Sequence, residues 1–483
     1  MTRRTQNSLI ALTILLIGAC YLATVSPYEN WDGDYAQYIR HAINIADGQD
    51  YDRIGYVFNP NYPAWPRTYP PVLPLLLAPF YKIWGLNTLV MKQAICLMFL
   101  AFLAVLAFLV RRRISFPSLI GVLFIFALHP FLLDFKNTIF SEFPFLLFTY
   151  GAMFLIQKFY EKGASGPWFF PGLWIALTIY LSYGTRDIGL LLVPCLLAYE
   201  FIHYRHISAR TLTAVAACIF LAGLEWLFLH KDGDYTKMML VADPHALSSS
   251  LGHYFRSIYY FWGDDQHPKL QAAIFYSTLF LTLSGFVAHV RQRICMTEIF
   301  FAVYTLSALL WPADQGLRYF LPALPLYVFY IFCGVEFWAG KPGQPLLAAI
   351  RNVFFIGLLG AVLFNYVSFY RQWDYRAIPE GPDKKESVEF FNFIREKIPR
   401  EAVFIFSKPP ILTMFTGRAS SIYQIPVDRD QLWQYIHSIH AGYLIYCQPL
   451  SDQKNLGPFI RYYEKDLKPV FMNKDFELFE IAE

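Results

Sequence analysis

Long apolar blocks recur along this chain, and they constrain its fold more than any other feature of the sequence. A helix of about 20 residues is long enough to cross the hydrocarbon core of a bilayer, which is about 30 Å thick. The blocks are apolar on all sides rather than striped, and 56% of the 483 residues are hydrophobic, which is typical of a mostly α-helical, polytopic membrane protein. They predict about eleven transmembrane helices, at 8–26, 88–110, 116–133, 142–158, 168–183, 188–203, 211–229, 271–290, 297–312, 319–338 and 345–369.

Basic residues in the short loops predict how the chain is oriented. With the windows above, every basic cluster falls on one side of the membrane, which the positive-inside rule assigns to the cytoplasm. The N-terminus is then cytoplasmic, and the chain after residue 370 lies outside the cytoplasmic (inner) membrane. The clusters are Arg3 with Arg4, Arg111 to Arg113, Lys158 with Lys162, Arg205 with Arg210, Arg291 with Arg293, and Lys341.

Three long segments face outward in this topology: 27–87, 230–270 and 371–483. The last of them predicts a small soluble α/β domain, because stretches with helical apolar spacing, such as "KKESVEFFNFIREKI", alternate with short buried strands, such as "AVFIFS" and "GYLIYC". The segment closes with a hairpin, "KPVFMNKDFELFEI". We therefore predict a transmembrane domain over 1–370 and an extracytoplasmic α/β domain over 371–483.

Ionisable residues near the ends of the predicted spans locate a candidate site. Charged groups are costly in hydrocarbon and usually functional there. Seven such residues fall at or near the outer ends of their helices, and none of the seven is at mid-membrane, where an ion-coupled transporter would need them; they are Asp134, Lys136, Glu142, Arg186, Asp187, Glu225 and Arg318. A site would therefore open at the outer interface. The net charge is only +4 and the basic residues are scattered, which argues against a nucleic-acid partner.

The segment after the first span carries the carboxylates of most interest. "DYAQYIRHAINIAD" (34–47) has the apolar spacing of an interfacial helix that begins at Asp34. Asp34 could cap this helix, in a capping box with Gln37, and it could also be functional; the two roles can coexist. In "RTYPPVLPLLLAPFYKIWG" (67–85), four prolines predict a re-entrant or interfacial segment rather than a regular span.

Several motifs, taken in order, resemble those of the C-type fold membrane glycosyltransferases, in the branch of the protein O-mannosyltransferases and the lipid A aminoarabinose transferase. The resemblance covers nearly the whole chain. It implies an integral-membrane enzyme that moves a sugar from a polyprenyl-phosphate donor to a lipid, glycan or protein acceptor in the cell envelope, with inversion at the anomeric carbon. The motifs are Asp34 with Tyr38, "YPPVLPLLLAPFYKIWG", Ser141 with Glu142, "SYGTRDIGLLLVP", "LRYFLPALPLYV", and "TGRAS" with "GYLIYC".

The resemblance also implies roles for individual residues. Asp34 matches the family's catalytic aspartate, the base that takes a proton from the acceptor. Glu142 matches an acidic residue of the second outer loop that helps to form the site. Charge builds on the phosphate that leaves, and it must be stabilised by nearby groups. The candidates for this donor binding are Arg186, Arg318, Lys136, Arg67, Tyr69, His253 and Arg256.

Some positions depart from the family pattern. Many relatives follow the aspartate with a second acid and, two residues later, a basic residue, whereas here these positions are Tyr35 and Gln37. The Glu-Lys pair that some relatives place before the proline-rich segment is replaced by Thr68 and Tyr69. No ligand cluster with suitable spacing accompanies Asp34 and Glu142. A divalent metal at these two residues is therefore left open, and no other cofactor is expected.

Simpler explanations stay open for several of these residues. Arg186 could pair with Asp187 or extend to the interface, and Glu142 could be an acid favoured by a helix dipole. The aromatic segment 252–265 could be an interfacial belt instead of a flap over the site. For the whole protein, the alternatives to an enzyme are a transporter or flippase for a lipid-linked sugar and a catalytically silent member that binds a partner.

Overall fold

A computed structural model of the chain describes residues 2–62, 66–161, 167–229, 244–263, 266–311, 316–339, 345–450 and 452–482. Helices occur at all eleven predicted windows, and a small sheet follows near the C-terminal end. Six helices in the described part are long and apolar enough to cross a membrane without help from a neighbour. The predicted fold class, a polytopic and mostly α-helical membrane protein with an α/β region at its C-terminal end, is confirmed.

Within the described ranges, the helices before residue 373 follow the predicted order, with three further helices in the outer segments. They are α1 (Arg3–Ala23), α2 (Asp34–Asp47), α3 (Val72–Trp84), α4 (Thr88–Val110), α5 (Phe116–Ala127), α6 (Pro130–Phe135), α7 (Glu142–Tyr160), α8 (Phe169–Tyr183), a 3-10 turn (Asp187–Leu191) leading into α9 (Leu192–Tyr204), α10 (Ala209–Phe228), α11 (Pro244–Phe261), α12 (Pro268–Gln292), α13 (Met296–Leu309), α14 (Gly316–Phe320), α15 (Leu324–Ala339) and α16 (Pro345–Gln372).

Two predicted spans are broken into separate helices. The window 116–133 divides into α5 and α6, and Pro130 is the first residue of α6. The window 319–338 divides into α14 and α15, with Pro322 between them. Proline cannot donate a helical hydrogen bond, and it disfavours helix in the residue before it. The second break leaves Arg318 on a short helix of its own.

The loops with basic residues meet at one end of the molecule. Arg111 donates to the Asn7 side chain (2.9 Å), and Arg112 pairs with Glu161 (3.0 Å). Arg113 contacts His289 (2.9 Å) and pairs with the buried Glu298. These contacts join the N-terminal segment to loops that the sequence places on the same side of the membrane. Their position on the cytoplasmic side stays a prediction.

Two helices of the first outer segment lie at the other end. α2 has the predicted bounds, 34–47. α3 is a regular helix despite Pro74 in its first turn and Pro79 inside it. A first turn needs no backbone donors from its own residues, so Pro74 causes no loss there. With 13 residues, α3 is shorter than the roughly 20 needed to span a bilayer.

The described part of the C-terminal region holds a five-stranded sheet in the order β2-β1-β3-β5-β4. β1 is parallel to both of its neighbours, and β5 is antiparallel to β3 and β4. The predicted strands and the closing hairpin all occur. The elements are α17 (Lys385–Lys397), β1 (Val403–Ile405), α18 (Pro409–Thr416), β2 (Ala419–Ser421), α19 (Arg429–Ser438), β3 (Tyr443–Cys447), α20 (Asp452–Asn455), α21 (Gly457–Tyr462), β4 (Leu467–Met472) and β5 (Phe476–Ile481).

The C-terminal region packs against the first outer segment. The backbone of Ser420 in β2 donates to Gly55 O (3.0 Å) and accepts from Val57 N (2.9 Å), so this segment continues the sheet edge. The buried Trp31 ring meets three aromatic rings of the C-terminal region edge-on, those of Phe391, Phe406 and Phe476. The two parts therefore share one core. A domain boundary at residue 370 stays a prediction.

Candidate active site

Asp34 is the first residue of α2, but it does not cap the helix. Gly33 holds the N-cap position, and no side chain caps it. The Asp34 carboxylate instead accepts hydrogen bonds from the Tyr69 hydroxyl (2.9 Å, at Oδ1) and from Nη1 of Arg318 (2.6 Å, at Oδ2). Gln37 donates to backbone carbonyls of the adjacent segment. The capping-box interpretation is therefore wrong, because both side chains make tertiary contacts.

Tyr69 is held in place by two side chains that carried no signal in the sequence. The Tyr51 hydroxyl donates to the Tyr69 carbonyl (2.7 Å), and the Tyr69 N–H donates to Nε2 of His41 (3.3 Å). Nδ1 of His41 faces the Tyr51 carbonyl (2.8 Å). Burial lowers the pKa of His41 to about 4, so at neutral pH the neutral ring can donate at Nδ1 and accept at Nε2. This network positions the hydroxyl that contacts Asp34.

Glu142 joins the two arginines that were predicted to bind the donor. It is the first residue of α7, and its side chain is fully buried. Its Oε1 accepts from Nη1 of Arg186 and from Nε of Arg318. Arg186 also contacts the Ser141 hydroxyl (3.3 Å). Arg318, stacked on the Phe140 ring at 4.0 Å, thus bridges Glu142 and Asp34.

The electrostatic balance keeps Asp34 ionised. Burial alone would raise the pKa of its carboxyl, but the charge of Arg318 and the hydrogen bonds from Arg318 and Tyr69 together outweigh it. The pKa of Asp34 therefore lies below its ordinary value of about 3.9. At neutral pH the carboxylate can accept a hydrogen bond from an incoming hydroxyl group. Asp34 and Glu142 together compensate the charges of Arg186 and Arg318.

A cavity of about 240 Å³ opens beside Asp34. Two of the predicted donor-binding residues, Tyr69 and Arg318, line it. Tyr62 and Lys408 were not predicted, because no local motif links them to Asp34. Lys408 could have been found by its position: it lies shortly after β1, a strand with two parallel neighbours, and functional residues often follow such strands. The full lining is Asp32, Gly33, Asp34, Tyr62, Tyr69, Arg318 and Lys408.

Five predicted donor-binding residues lie outside the described lining of this cavity: Arg186, which is linked to Arg318 through Glu142, and Lys136, Arg67, His253 and Arg256. Lys136 donates to the Thr24 carbonyl (2.7 Å) and to Asn137 Oδ1 (3.1 Å). Arg67 is partly buried in the segment before α3, while His253 and Arg256 lie on α11, where Arg256 is exposed. Their part in donor binding stays a prediction. Of the outer segment 230–270, residues 230–243 and 264–265 lie outside the described residues.

Asp34 and Glu142 do not fit a shared divalent metal. The guanidinium of Arg318 lies between the two carboxylates and contacts both, so a cation already occupies the position that a metal would need. Within the described ranges, no three His, Cys, Asp or Glu side chains gather as ligands. The proposed mechanism therefore relies on side chains of the protein and includes no metal.

Solved membrane glycosyltransferases share the fold of this chain. The oligosaccharyltransferase of Archaeoglobus fulgidus, tethered to an acceptor peptide with the NVT sequon, has a TM-score of 0.61 at 10% identity, over 100% of this chain and 74% of that chain. In complex with Zn and sulfate, it has a TM-score of 0.56 at 11% identity, over 94% and 71%. ArnT of Cupriavidus metallidurans, bound to undecaprenyl phosphate, has a TM-score of 0.53 at 11% identity, over 99% and 98%.

These similarities establish the fold and nothing finer. Searches against protein-family models and among curated proteins find no match. The chain has the fold of the C-type membrane glycosyltransferases, and the predicted resemblance is confirmed at that level.

Proposed function

We propose that this protein is an integral-membrane inverting glycosyltransferase, which moves a sugar from a polyprenyl-phosphate donor to an acceptor outside the cytoplasmic membrane. One observation carries the proposal. An ionised carboxylate, Asp34, shares a cavity with Arg318, and Arg318 is linked through Glu142 to Arg186. A base and cations for a phosphate are the groups that this transfer requires.

Asp34 is suited to act as the base. In transfer with inversion, the acceptor attacks the anomeric carbon from the face opposite the phosphate. The bond from the acceptor oxygen to carbon forms, the bond from carbon to the phosphate oxygen breaks, and the proton of the acceptor passes to Asp34. Such proton transfer typically contributes about 10²–10⁴-fold to the rate.

The arginines are suited to stabilise the leaving phosphate. Arg318 uses Nε for Glu142 and Nη1 for Asp34, and its remaining edge can meet a phosphate oxygen. Glu142 acts as a positioning residue, because it holds Arg318 at the cavity wall and links it to Arg186 behind the wall. Charge stabilisation of this kind is strongest where the donors are preorganised and water is limited.

The fold and the charge pattern support the proposed donor, acceptor and location. The related fold of an ArnT bound to undecaprenyl phosphate supports a polyprenyl-phosphate donor, and the acceptor peptide on the oligosaccharyltransferase supports an acceptor site. The acceptor is a lipid, a glycan or a protein of the cell envelope. The basic loops lie at the end opposite α2, so by the positive-inside rule the cavity and the C-terminal region are extracytoplasmic.

The substitution Asp34→Asn tests this function. In cells that lack the gene, wild-type protein should restore the missing sugar in a mass-spectrometric profile of envelope lipids and glycans, whereas Asp34→Asn should fail to do so. The purified variant should still bind undecaprenyl phosphate. Asp47→Asn, at the exposed end of the same helix, is the matched control and should behave as wild type.

Two results would contradict the proposal. If Asp34→Asn restores the profile fully, no base is needed, and a flippase or a partner-binding role is favoured. If the wild-type protein binds undecaprenyl phosphate no better than undecaprenol, the assigned donor is wrong.

A further inference from the structure

Lys408 brings the C-terminal region into the active-site cavity. Its side chain lines the cavity together with Asp32, Asp34 and Arg318. Burial lowers the pKa of its ammonium group, against the attraction of Asp32 and Asp34. The roles proposed above belong to Asp34, Glu142, Arg186 and Arg318, and none is assigned to Lys408.

The backbone holds Lys408 in a defined place. β1 lies between two parallel strands, and the residue after it, Phe406, still donates to Ser421 O (2.9 Å). Lys408 then precedes two prolines, Pro409 and Pro410, in the first turn of α18. A following proline disfavours helical backbone in the residue before it, and Lys408 takes the N-cap position of α18, with φ −131° and ψ 65°. Ligands of open α/β sheets bind beyond the carboxyl ends of such parallel strands.

Lys408 also decides the net charge of the cavity wall. Of the described residues that line it, two are carboxylates, Asp32 and Asp34, and two are cations, Arg318 and Lys408. The Glu142–Arg186 pair behind them adds no net charge. Without Lys408 the wall would carry one excess negative charge and would repel a phosphate.

We propose that Lys408 binds a phosphate group in this cavity together with Arg318, so that the C-terminal region completes the substrate site. This proposal rests on the proposed function. The phosphate can arrive on the donor lipid from the membrane, or on the acceptor from the aqueous side. Either way, the group recognised is an oxyanion that can take a charge-assisted hydrogen bond from an ammonium.

Binding measurements on the full-length protein in lipid nanodiscs test this role. Wild type, Lys408→Gln, Lys408→Arg and the control Lys397→Gln, at the exposed end of α17, are compared. The first probe is undecaprenyl phosphate, with undecaprenol as the phosphate-free reference. The second probe is inorganic phosphate, added to protein already loaded with undecaprenyl phosphate. Size-exclusion profiles and thermal unfolding establish that each variant is folded.

Loss of one hydrogen bond to a charged group should weaken phosphate binding by about tenfold. If Lys408→Gln weakens binding of undecaprenyl phosphate but not of undecaprenol, the phosphate is that of the donor. If it leaves lipid binding intact and weakens binding of inorganic phosphate, the phosphate belongs to the acceptor. In both cases Lys408→Arg should retain most of the affinity, and Lys397→Gln all of it.

The proposal is overturned if folded Lys408→Gln binds both probes as wild type does. That outcome differs from failure of the proposed function, in which the wild-type protein itself would not discriminate undecaprenyl phosphate from undecaprenol.

Discussion

At the scale of single residues, Tyr69 sets the basicity of Asp34. Its hydroxyl donates to the ionised form of the carboxylate, and a hydrogen bond of this kind lowers the pKa. In Tyr69→Phe the pKa of Asp34 should rise. Since a base works only when it is ionised, the acid limb of the kcat/KM profile should then move to higher pH. At neutral pH kcat/KM should change little, because Asp34 stays ionised there with or without the Tyr69 hydroxyl.

The pH dependence of kcat/KM checks this prediction. Tyr62→Phe is the matched control, because Tyr62 lines the same cavity and no hydrogen bond joins it to Asp34 among the contacts described. Its acid limb should stay where the wild-type limb lies. An unchanged limb in Tyr69→Phe would show that this hydroxyl does not influence the base.

The residues that the sequence could predict are those that stand in local motifs. Asp34, Glu142, Arg186 and Arg318 each belong to a recognisable stretch, and the structure joins all four in one network. The sequence left a metal at Asp34 and Glu142 open, because it does not reveal that Arg318 lies between the two acids. Burial and distance in space decide such contacts, and neither can be read from spacing along the chain.

At the scale of elements, Arg418 explains the "TGRAS" motif. Its buried guanidinium donates through Nη2 to the carbonyls of Ile398 (2.8 Å), Arg395 (3.1 Å) and Ile394 (3.4 Å), at the C-terminal end of α17. Carbonyls of a last helical turn need such partners, although Ile394 O also accepts from the Ile398 N–H (3.2 Å), and a cation at that end also favours the helix dipole. The motif therefore joins β2 to α17, and its role here is structural.

Arg418→Ala should increase local opening of α17 and leave the active-site cavity unchanged. Removal of a buried cation that satisfies several carbonyls costs about 3 kcal/mol, so local opening should become about 100-fold more frequent. Hydrogen exchange of the α17 amides measures this directly. Arg400→Ala, at an exposed position just after the same helix, should leave exchange unchanged. Equal protection of α17 in wild type and Arg418→Ala would contradict the capping role.

The positions of the helices were largely predictable, whereas their interruptions were not. The apolar windows predicted the order of the spans, because each span needs about 20 apolar residues to cross the bilayer. The windows do not show where tertiary packing stops a helix, as between α14 and α15 around Pro322. The prolines of α3 do not stop the helix, because Pro74 falls in its first turn, but at 13 residues α3 is too short for a regular span, and its interfacial or re-entrant position stays a prediction.

At the scale of the whole molecule, the C-terminal region and the first outer segment pack together. The sequence predicted both parts, but their contact joins residues more than 350 positions apart, such as Glu29 N with Asp383 Oδ2 (2.6 Å) and Asn59 Nδ2 with Ile422 O (2.7 Å). The first outer segment also carries Asp34, and the C-terminal region carries Lys408. The contact between the two parts therefore determines the distance between Asp34 and Lys408.

Gly381→Ala tests whether docking controls the site. A Cβ at Gly381 would lie 2.1 Å from the backbone oxygen of Glu29 and 2.9 Å from the Cα of Asn30, so the two segments must separate. Such overpacking costs about 1–3 kcal/mol. We expect faster hydrogen exchange in residues 27–33 and weaker binding of undecaprenyl phosphate or of inorganic phosphate, whichever Lys408 binds, because Lys408 moves relative to Asp34 and Arg318. Gly442→Ala is the control, since a Cβ there meets nothing within 4 Å. If Gly381→Ala raises exchange at residues 27–33 but leaves binding of both probes unchanged, the C-terminal region is attached to the site without contributing to it.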